Sequence, residues 1–255
     1  MTESQKLPPR LTTLSFHSPL SEPRAASLIE RAAAEAPSTV LDIGCGWGEL
    51  MLRVLEAVPG ARGTGVDLNG EDLARGRTNA AARGLADRVE FLEKSATDAA
   101  LDPADLVFCL SASHALSGAE PPRLTTEALR ALRGLVTPGG RVVFADGYWQ
   151  RPPTPQELGA MWPDARADEY DGLAGLVDRA VAAGFRPVWI ETANRDEWET
   201  FESGYQSDQE VWLAGHPDHP LAEETREKLD RHRSSWLRGY RDVLGIAYLT
   251  LVPVD

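Results

Sequence analysis

Cysteine is scarce in this sequence, and long apolar runs are absent. The 255 residues include only two cysteines, Cys45 and Cys109, too few for a disulfide framework, and we expect both to be buried free thiols. No stretch approaches the ~18 consecutive apolar residues of a membrane helix. The polar, proline-rich N-terminus also lacks the apolar core of a signal peptide. We therefore expect a cytoplasmic protein without a membrane span.

Basic residues are in the minority. Lys and Arg together number 26 against 39 Asp and Glu, which gives a net charge of −13 and a pI of about 4.9. A surface of this charge repels nucleic-acid phosphates and anionic lipid, and no basic run compensates for it. We expect no nucleic-acid or membrane partner, and instead a small-molecule substrate bound by a monomer or homodimer.

Metal-ligand patterns are equally sparse. The segment HPDHP at 216–220, with His232 downstream, holds three of the five histidines. Pro217 and Pro220 prevent the two nearer histidines from sharing one face of a helix, and no cysteine is close by. We expect a turn between two helices here, and no metal site.

What the chain does contain is an alternation of strand-like and helix-like segments. Short apolar runs at 40–43, 62–68, 89–93, 105–110, 141–146, 185–192 and 245–252 predict strands. Apolar residues at helical spacing predict helices at 21–36, 49–57, 70–83, 124–135 and 173–183, and a helical region at 194–241. This order predicts an α/β fold, a doubly wound and mostly parallel seven-stranded sheet with an antiparallel last strand.

We find no internal repeat and no low-complexity linker, so a single domain spanning 1–255 is the simplest organisation. Within it we expect an N-terminal lid segment and helix at 1–36 and a cofactor-binding core at 38–193. A helical insertion follows at 194–244, before the last strand at 245–252.

The most informative motif is VLDIGCGWG at 40–48. Gly44, Gly46 and Gly48 stand between a predicted strand and a predicted helix, where a tight turn can bring the backbone close to a ligand. Such a turn also occurs as a plain strand-to-helix connection. Asp67 ends the next strand, 19 residues after Gly48, where a carboxylate can accept from a ribose hydroxyl pair. The alternative is a polar residue that caps the following helix.

Four segments taken in order, VLDIGCGWG, GVDL, VEFLEKSA and TPGGRVVFADG, resemble the class I S-adenosylmethionine-dependent methyltransferases over residues 38–193. The glycine spacing is one residue shorter than the dinucleotide pattern GxGxxG, and Asp42 stands where dinucleotide-binding strands are usually apolar. An FHSP-like N-terminal stretch and an aromatic-rich C-terminal half further resemble a bacterial subgroup of small-molecule methyltransferases.

The resemblance implies S-adenosylmethionine as cofactor and S-adenosylhomocysteine as product. It places the methionine end against Asp42 and the glycine turn, the ribose on Asp67, and the adenine on Leu68 with a contact at Ser95 or the Ala96 amide. Leu110 to His114 would border the sulfonium. The implied cofactor-binding residues are Asp42, Gly44, Cys45, Gly46, Gly48, Asp67, Leu68, Ser95, Ala96 and Leu110.

The sequence indicates the residues that bind the methyl acceptor less clearly than those that bind the cofactor. His114 follows the fourth strand and is the candidate general base, although a loop histidine can equally bond backbone. His17 would belong to the lid, and Asp146 with the aromatic pair Tyr148 and Trp149 follows the fifth strand, where the pair could enclose a planar or cationic acceptor. Further candidates, which could instead be core residues, are Trp162, Tyr170, Tyr205 and Trp212.

The predicted function is methyl transfer to a small-molecule O, N or C acceptor. Asn-Pro-Pro-Tyr, typical of amino methylation on nucleobases and glutamine, is absent, and CLSAS stands in its place. Two alternatives stay open, namely a nicotinamide-dependent oxidoreductase and a non-catalytic protein that binds S-adenosylmethionine.

Overall fold

The structure, a computed structural model, describes residues 8–254. The first seven residues of the predicted lid segment and Asp255 therefore lie outside the described residues. The strands are β1 Thr39–Ile43, β2 Arg62–Asp67, β3 Val89–Glu93, β4 Ala104–Leu110, β5 Val136–Trp149, β6 Phe185–Thr192 and β7 Leu244–Pro253. The helices are α1 Glu22–Ala33, α2 Glu49–Ala57, α3 Gly70–Ala82, α4 Leu124–Leu135, α5 Pro155–Ala160, α6 Leu173–Ala182, α7 Arg195–Gly215 and α8 Ala222–Ser235.

All seven strands form one sheet in the order β3-β2-β1-β4-β5-β7-β6. β1 pairs in parallel with β2 and β4, β2 with β3, and β4 with β5, whereas β6 and β7 are antiparallel. The predicted fold class is confirmed. The direction of winding reverses between β1 and β4, and ligands of such sheets bind beyond the carboxyl ends of the strands at this point.

Local sequence explains why the first helix begins and ends where it does. Ser21 caps α1 by accepting a hydrogen bond from the Arg24 amide at 3.4 Å, and Pro23 lies in the first turn, where its missing N–H costs nothing. The buried face of α1 carries Ala25, Leu28, Ile29 and Ala32, which recur at helical spacing.

β5 is longer at both ends than the sequence predicts. Its expected bounds were 141–146, but the strand runs from Val136 to Trp149. At its start the pairing with β4 is irregular between Ala104 and Leu106, which accommodates the proline and glycines at 138–140. Tyr148 and Trp149 thus lie within the strand, and the prediction that they follow it is wrong.

The described residues form two compact units, and the earlier expectation of one domain stays a prediction. The sheet unit comprises residues 21–148, 168–192 and 245–254. Its core joins inward-facing strand residues to residues of α4 and α6, and includes Ile43, Val107, Phe144, Leu176 and Leu249. The burial of this apolar surface is the main contribution to the stability of the unit.

The helical unit comprises residues 8–20, 149–167 and 193–244. It holds α5, α7, α8 and a π-helical turn at Trp236–Tyr240. The N-terminal segment is fastened to α7, because the Thr12 amide and hydroxyl both donate to Asp208, at 2.6 and 2.7 Å. A Cβ at Gly204 would come within 2.5 Å of Leu14 Cδ2, so a larger residue there would displace the Leu14 side chain.

Among the described helices, none combines the length and apolar character needed to cross a membrane.

Candidate functional site

The glycine turn, residues 44–48, joins β1 to α2 at the carboxyl edge of the parallel strands. Gly44, Gly46 and Gly48 have φ angles of 63°, 54° and 67°, in the left-handed region that residues with a Cβ disfavour. The amides of Gly44 and Cys45 both donate to the Val66 carbonyl of β2, at 2.9 and 3.1 Å. The neighbouring strand therefore holds the turn in place.

Space beside two of the three glycines is also restricted. A Cβ at Gly44 would lie 2.4 Å from Ala112 Cβ, and one at Gly48 would lie 2.9 Å from Phe91 Cε1. At Gly46 a Cβ would meet no described atom within 4 Å. Gly46 is thus the point of the turn at which a ligand can approach the main chain.

Asp67 links the turn to the end of β2. Its Oδ2 accepts a hydrogen bond from the Gly46 amide at 2.8 Å, and its Oδ1 accepts one from the Asn69 amide at 2.8 Å. A carboxylate oxygen can accept more than one bond, so both oxygens keep capacity for hydroxyl donors. The alternative role, capping of α3, belongs to Asn69, whose side chain accepts hydrogen bonds from the first amides of that helix.

Asp42 lies at the end of β1, two residues before the turn, and is only 6% exposed. Burial, with a smaller contribution from the negative charge of Asp67, raises the pKa of its carboxyl to about 8. Burial likewise raises the pKa of the Cys45 thiol, which is therefore protonated at neutral pH. Cys45 is half-buried, so its expected full burial is wrong, whereas Cys109 is buried as expected.

The predicted adenine-side residues differ in exposure. Leu68 is 73% exposed, which leaves an apolar surface open beside the turn. Ser95 is half-buried, with its hydroxyl 2.7 Å from that of Thr97, and Ala96 is buried. A planar base can pack on an exposed leucine. The roles of these three residues stay predictions.

The loop after β4 packs directly on the glycine turn, through the contact between Ala112 and Gly44. Leu110 ends β4 and is half-buried. His114 lies on a 3-10 turn at Ser113–Ala115 and is exposed to solvent. The structure thus brings the candidate base and the cofactor turn into one region of the sheet unit.

A buried carboxylate holds the turn that carries His114. Asp146 on β5 is 8% exposed and accepts hydrogen bonds from the hydroxyls of Ser113, at 2.8 Å, and Thr125, at 3.0 Å. Its other oxygen accepts from the Gly147 amide at 2.8 Å. Burial raises the pKa of Asp146, against the opposing effect of these hydrogen bonds and of His114. Sequence reasoning missed this network because Ser113 and Thr125 lie 33 and 21 residues before Asp146 in the chain.

Tyr148 belongs to the core of the sheet unit and is 8% exposed. Its ring occupies the space beside Gly245, where a Cβ would come within 2.4 Å of Tyr148 Cε1. That Tyr148 and Trp149 enclose one acceptor stays a prediction. Tyr170, in the same unit, packs on Gly147 in a similar way.

In the helical unit, Trp149 is 6% exposed and stacks on Trp162 with 6.5 Å between ring centroids. The Trp149 indole N–H donates to the Ala167 carbonyl at 2.9 Å. Trp162 also contacts the ring of Tyr240 at 6.1 Å. Trp149 is thus held as a packing residue, and acceptor binding by Trp149 and Trp162 stays a prediction.

His17 and Tyr205 come together in the helical unit, as stacked rings 6.1 Å apart. Tyr205 also stacks on His232 at 4.8 Å and contacts the ring of Phe201 at 5.9 Å. Beneath them Glu202, 2% exposed, lies 2.8 Å from His232 Nε2 and accepts a 2.8 Å hydrogen bond from the Tyr240 hydroxyl. Sequence reasoning missed Glu202, because one glutamate among many on an acidic helix carries no distinguishing signal.

HPDHP forms a turn between α7 and α8, as the prolines predict. His216 Nδ1 lies 2.7 Å from the Trp212 carbonyl, and His219 Nδ1 accepts from the Leu221 amide at 3.2 Å. Within residues 8–254, no group of three or more His, Cys, Asp or Glu side chains is arranged to hold a metal ion.

Comparison with known proteins adds three findings on the sequence. Residues 40–140 match a family model described as a methyltransferase domain. The uncharacterized protein YjhP of Escherichia coli is 26% identical over 251 residues, which cover 96% of this chain and 98% of the relative. A demethylmenaquinone methyltransferase of Thermus thermophilus is 34% identical over 138 residues, 52% of this chain and 57% of the relative.

Solved structures agree in fold. A methyltransferase from Geobacter sulfurreducens, crystallised with S-adenosylhomocysteine, superposes with a TM-score of 0.80 at 25% identity, covering 96% of this chain and 98% of that one. A methyltransferase from Thiobacillus denitrificans, also crystallised with S-adenosylhomocysteine, gives 0.80 at 24% identity and 94% coverage of both chains. The second likeness shows the fold alone.

Proposed function

We propose that the chain is a class I S-adenosylmethionine-dependent methyltransferase that methylates an oxygen, nitrogen or carbon atom of a small molecule, as the methyltransferase-domain match and the shared fold support. The cofactor that we propose is S-adenosylmethionine, with S-adenosylhomocysteine as product, and the match to a methyltransferase domain and the likeness to a structure crystallised with S-adenosylhomocysteine support it. A small acceptor is supported by the net charge of −13, which disfavours binding to nucleic acid.

One observation carries the proposal. The glycine turn and the Asp67 carboxylate are joined by the bond from the Gly46 amide, at the point between β1 and β4 where the winding of the sheet reverses. The turn is held in place by the protein itself, because its amides bond to β2. A site fixed in this way binds without first ordering a loop.

The residues present fit the cofactor. The open backbone at Gly46 and the buried Asp42 suit the methionine end, which carries an ammonium group. Asp67 retains acceptor capacity for two ribose hydroxyls, and Leu68 offers an apolar surface to a planar base. When bound, the cofactor supplies an activated methyl group on a sulfonium. The protein then has to align the acceptor and exclude water.

His114 is proposed as the group that takes a proton from the acceptor, where the acceptor atom carries one. Its exposed imidazole stands on a turn that the Asp146–Ser113 hydrogen bond holds against β5. Asp146 is then a positioning residue, since its oxygens bond to hydroxyls and an amide of the protein. His17, Tyr148, Trp149, Trp162 and Tyr205 stay predictions as acceptor-binding residues.

The proposal is tested in two steps. Calorimetry with S-adenosylhomocysteine and with NADH should show binding of the first and not the second; tight NADH binding alone would contradict the proposal. Transfer of isotope-labelled methyl is then measured on a panel of phenols, carboxylic acids, amines and enolisable carbon acids. Binding without transfer to any of them would favour a non-catalytic cofactor-binding protein.

His114→Ala should leave S-adenosylhomocysteine binding unchanged and lower turnover by about 100-fold or more on acceptors whose proton must leave. Equal loss on acceptors without such a proton would contradict the role as base. His216→Ala, in the turn between α7 and α8, is a matched control that should not affect either quantity.

A further inference from the structure

A cavity of about 320 Å³ lies between α1 and the sheet, and all of its lining residues belong to the sheet unit. Ala32 of α1 lines one wall, and Leu106 on β4 and Val143 on β5 line another. The residues that follow these two along their strands, Val107 and Phe144, belong to the core that includes α4 and α6. Because successive side chains of a strand point to opposite faces, the cavity lies against the other face of the sheet.

The width of a single helix explains why this face is incompletely covered. The lining comes from α1, the short segment after it and four adjacent strands, β4, β5, β7 and β6. A helix with its side chains is about 10 Å wide, whereas neighbouring strands are about 4.8 Å apart, so one helix covers about two strands. Val188 and Trp189 on the edge strand β6 line the cavity and remain 51% and 47% exposed. Apolar surface therefore stays open to a ligand at this edge of the sheet.

The cavity is distinct from the candidate cofactor site. The glycine turn lies at the carboxyl ends of the parallel strands, where β4 ends at Leu110. Leu106 lines the cavity four residues earlier on the same strand, which is about 13 Å at a rise of about 3.3 Å per residue. A methyl acceptor has to reach the cofactor at the carboxyl ends of the strands. The cavity is therefore a separate site from the one at which methyl transfer is proposed.

Arg31 is a polar residue of the lining whose hydrogen bonds are incomplete. Its guanidinium carbon lies 4.5 Å from the centroid of the Trp189 ring, and its Nη2 donates to Glu191 Oε2 at 2.5 Å. Glu191 also pairs with Arg24, at 3.3 Å. The Nε atom of Arg31 is buried, and none of the described residues accepts its N–H. Because a buried donor without an acceptor is unfavourable, a ligand atom that accepts this hydrogen bond would be favoured.

The charged groups of the lining favour a negatively charged ligand. Arg31 and Arg141 line the cavity together with one carboxylate, Glu35. Glu35 pairs with Arg141 at 3.1 Å, but its side chain is 52% exposed, and solvent screens such a pair. Apart from Thr250, the other lining residues are apolar. A small inorganic anion would leave these apolar walls unfilled, so the lining favours an anion that carries an apolar body.

We propose that this cavity binds a small monocarboxylate with an apolar, planar body. The carboxylate accepts a hydrogen bond from Arg31 Nε, since guanidinium N–H groups match carboxylate oxygens in geometry and charge. The body packs on Trp189 and on the apolar wall that α1 supplies. A volume of about 320 Å³ lies at the lower end of the range for small-molecule sites, about 300–1,000 Å³. The proposal goes beyond methyl transfer and does not depend on it.

The first experiment is a calorimetric titration of the wild-type protein with three probes, 3-phenylpropionate, indole-3-acetate and 2-naphthoate. We expect at least one of them to bind with a Kd below about 1 mM, and its uncharged primary amide to bind at least about tenfold more weakly. Saturating S-adenosylhomocysteine should change the Kd of the probe by less than about twofold, because the two sites are separate. If the probe binds and S-adenosylhomocysteine does not, the proposed function is contradicted and this inference is supported.

The second experiment uses variants. Arg31→Lys keeps the positive charge but removes the Nε donor and the planar guanidinium, and should weaken binding of the probe at least about tenfold. Ala32→Leu fills the cavity from α1 without changing any charge, and should abolish binding. Arg130→Lys, at an exposed position of α4, is the matched control and should bind the probe as the wild-type protein does. Thermal unfolding without the probe checks that each variant is folded.

The proposal is overturned if none of the three probes binds. It is also overturned if S-adenosylhomocysteine displaces the probe, which would place the probe at the cofactor or acceptor site. Unchanged binding in folded Arg31→Lys or folded Ala32→Leu would place the probe elsewhere on the protein. Sedimentation tests a different occupant, because a dimer that dissociates in Trp189→Glu would assign the cavity to a second copy of the chain.

Discussion

At the scale of single residues, Asp67 combines two tasks that one carboxylate can perform together. It accepts backbone hydrogen bonds from Gly46 and Asn69, and so fixes the geometry of the turn. The oxygens keep lone pairs that can accept from a ribose. Loss of this side chain should therefore affect both the turn and the ligand.

Asp67→Ala should weaken S-adenosylhomocysteine binding by about 1–3 kcal/mol, or roughly 5- to 150-fold in Kd, because two hydroxyl donors lose a charged acceptor. Calorimetry measures the change. Asp87→Ala, an exposed aspartate before β3, is the control and should bind as the wild-type protein does. Equal affinities for Asp67→Ala and wild type would remove Asp67 from the binding site.

Asp42 should also influence stability in a way that depends on pH. The pKa of its carboxyl in the folded protein, about 8, lies above the ordinary value of 3.8. The folded state therefore binds the proton more tightly than the unfolded state, and the stability that this contributes is lost as the pH rises from about 4 to about 8.

Asp42→Asn removes the ionisable group. Its free energy of unfolding relative to wild type should rise by about 1–3 kcal/mol between pH 6 and pH 9, because only the wild-type protein has to ionise a buried acid in this range. Urea unfolding of both proteins at the two pH values measures the difference. A difference that does not change with pH would mean that Asp42 is ionised throughout.

At the scale of elements, the positions of the glycine turn differ in whether they need a left-handed φ alone or also the absence of a Cβ. Gly44 must have both a left-handed φ and no Cβ, since Ala112 occupies the space beside it. Gly46 must have only the left-handed φ, because its side-chain position is open. Stability and binding should therefore respond differently at the two positions.

Gly44→Ala should lower the free energy of unfolding by about 2–4 kcal/mol, from backbone strain and the collision with Ala112. Gly46→Ala should lower it by only about 1 kcal/mol, from strain alone, yet weaken S-adenosylhomocysteine binding by obstructing the backbone. Chemical unfolding and calorimetry provide the two measurements. The hypothesis of an open ligand-facing position fails if Gly46→Ala binds as tightly as wild type.

In the helical unit, Glu202 connects α7 to α8 and to the π-helical turn through His232 and Tyr240. Glu199, one turn earlier, also makes an ion pair, with Arg241, but that pair is far more exposed. Buried and exposed carboxylates of the same helix can thus be compared directly.

Glu202→Ala should destabilise the protein by about 2–4 kcal/mol, since it leaves a buried tyrosine hydroxyl and an imidazole without their acceptor. Glu199→Ala should cost about 0–1 kcal/mol, because solvent screens an exposed pair. Thermal unfolding followed by circular dichroism distinguishes the two. Similar losses for both variants would mean that burial does not govern the contribution of Glu202.

At the scale of the whole molecule, binding of a ligand to the folded state alone must raise its stability by mass action. S-adenosylhomocysteine at 100 times its Kd should stabilise the protein by about 2.7 kcal/mol, which raises Tm by about 5–10 °C for a chain of this size. Differential scanning fluorimetry measures the shift. Asp67→Ala at the same concentration should show a much smaller one, and absence of any shift with wild type would contradict cofactor binding.

The net charge of −13 also acts on the molecule as a whole. It favours small-molecule over nucleic-acid partners and opposes self-association at low salt. A monomer or homodimer, and a cytoplasmic location, stay predictions.

Most elements of the sheet unit follow from local sequence. α2, α4, β3 and β6 have the bounds that periodicity and turn residues predict, because their apolar spacing is unambiguous. β5 does not, because Pro138 and the glycines after it signal a break that pairing with β4 overrides. The strand's far end was missed for the same reason, since hydrogen bonding to a neighbour is invisible in local sequence.

Local sequence was enough to predict S-adenosylmethionine as the cofactor, because the glycine turn, Asp42 and Asp67 lie within one strand–helix–strand unit and are separated by short spacings. How these groups are buried and hydrogen-bonded became visible in the folded structure alone. Asp42 is buried next to Asp67, Asp146 accepts a hydrogen bond from Ser113 in the turn that carries His114, and Glu202 accepts one from Tyr240. Each of these contacts joins residues that lie far apart in sequence. Burial and electrostatic coupling depend on what packs nearby, which spacing along a chain does not encode.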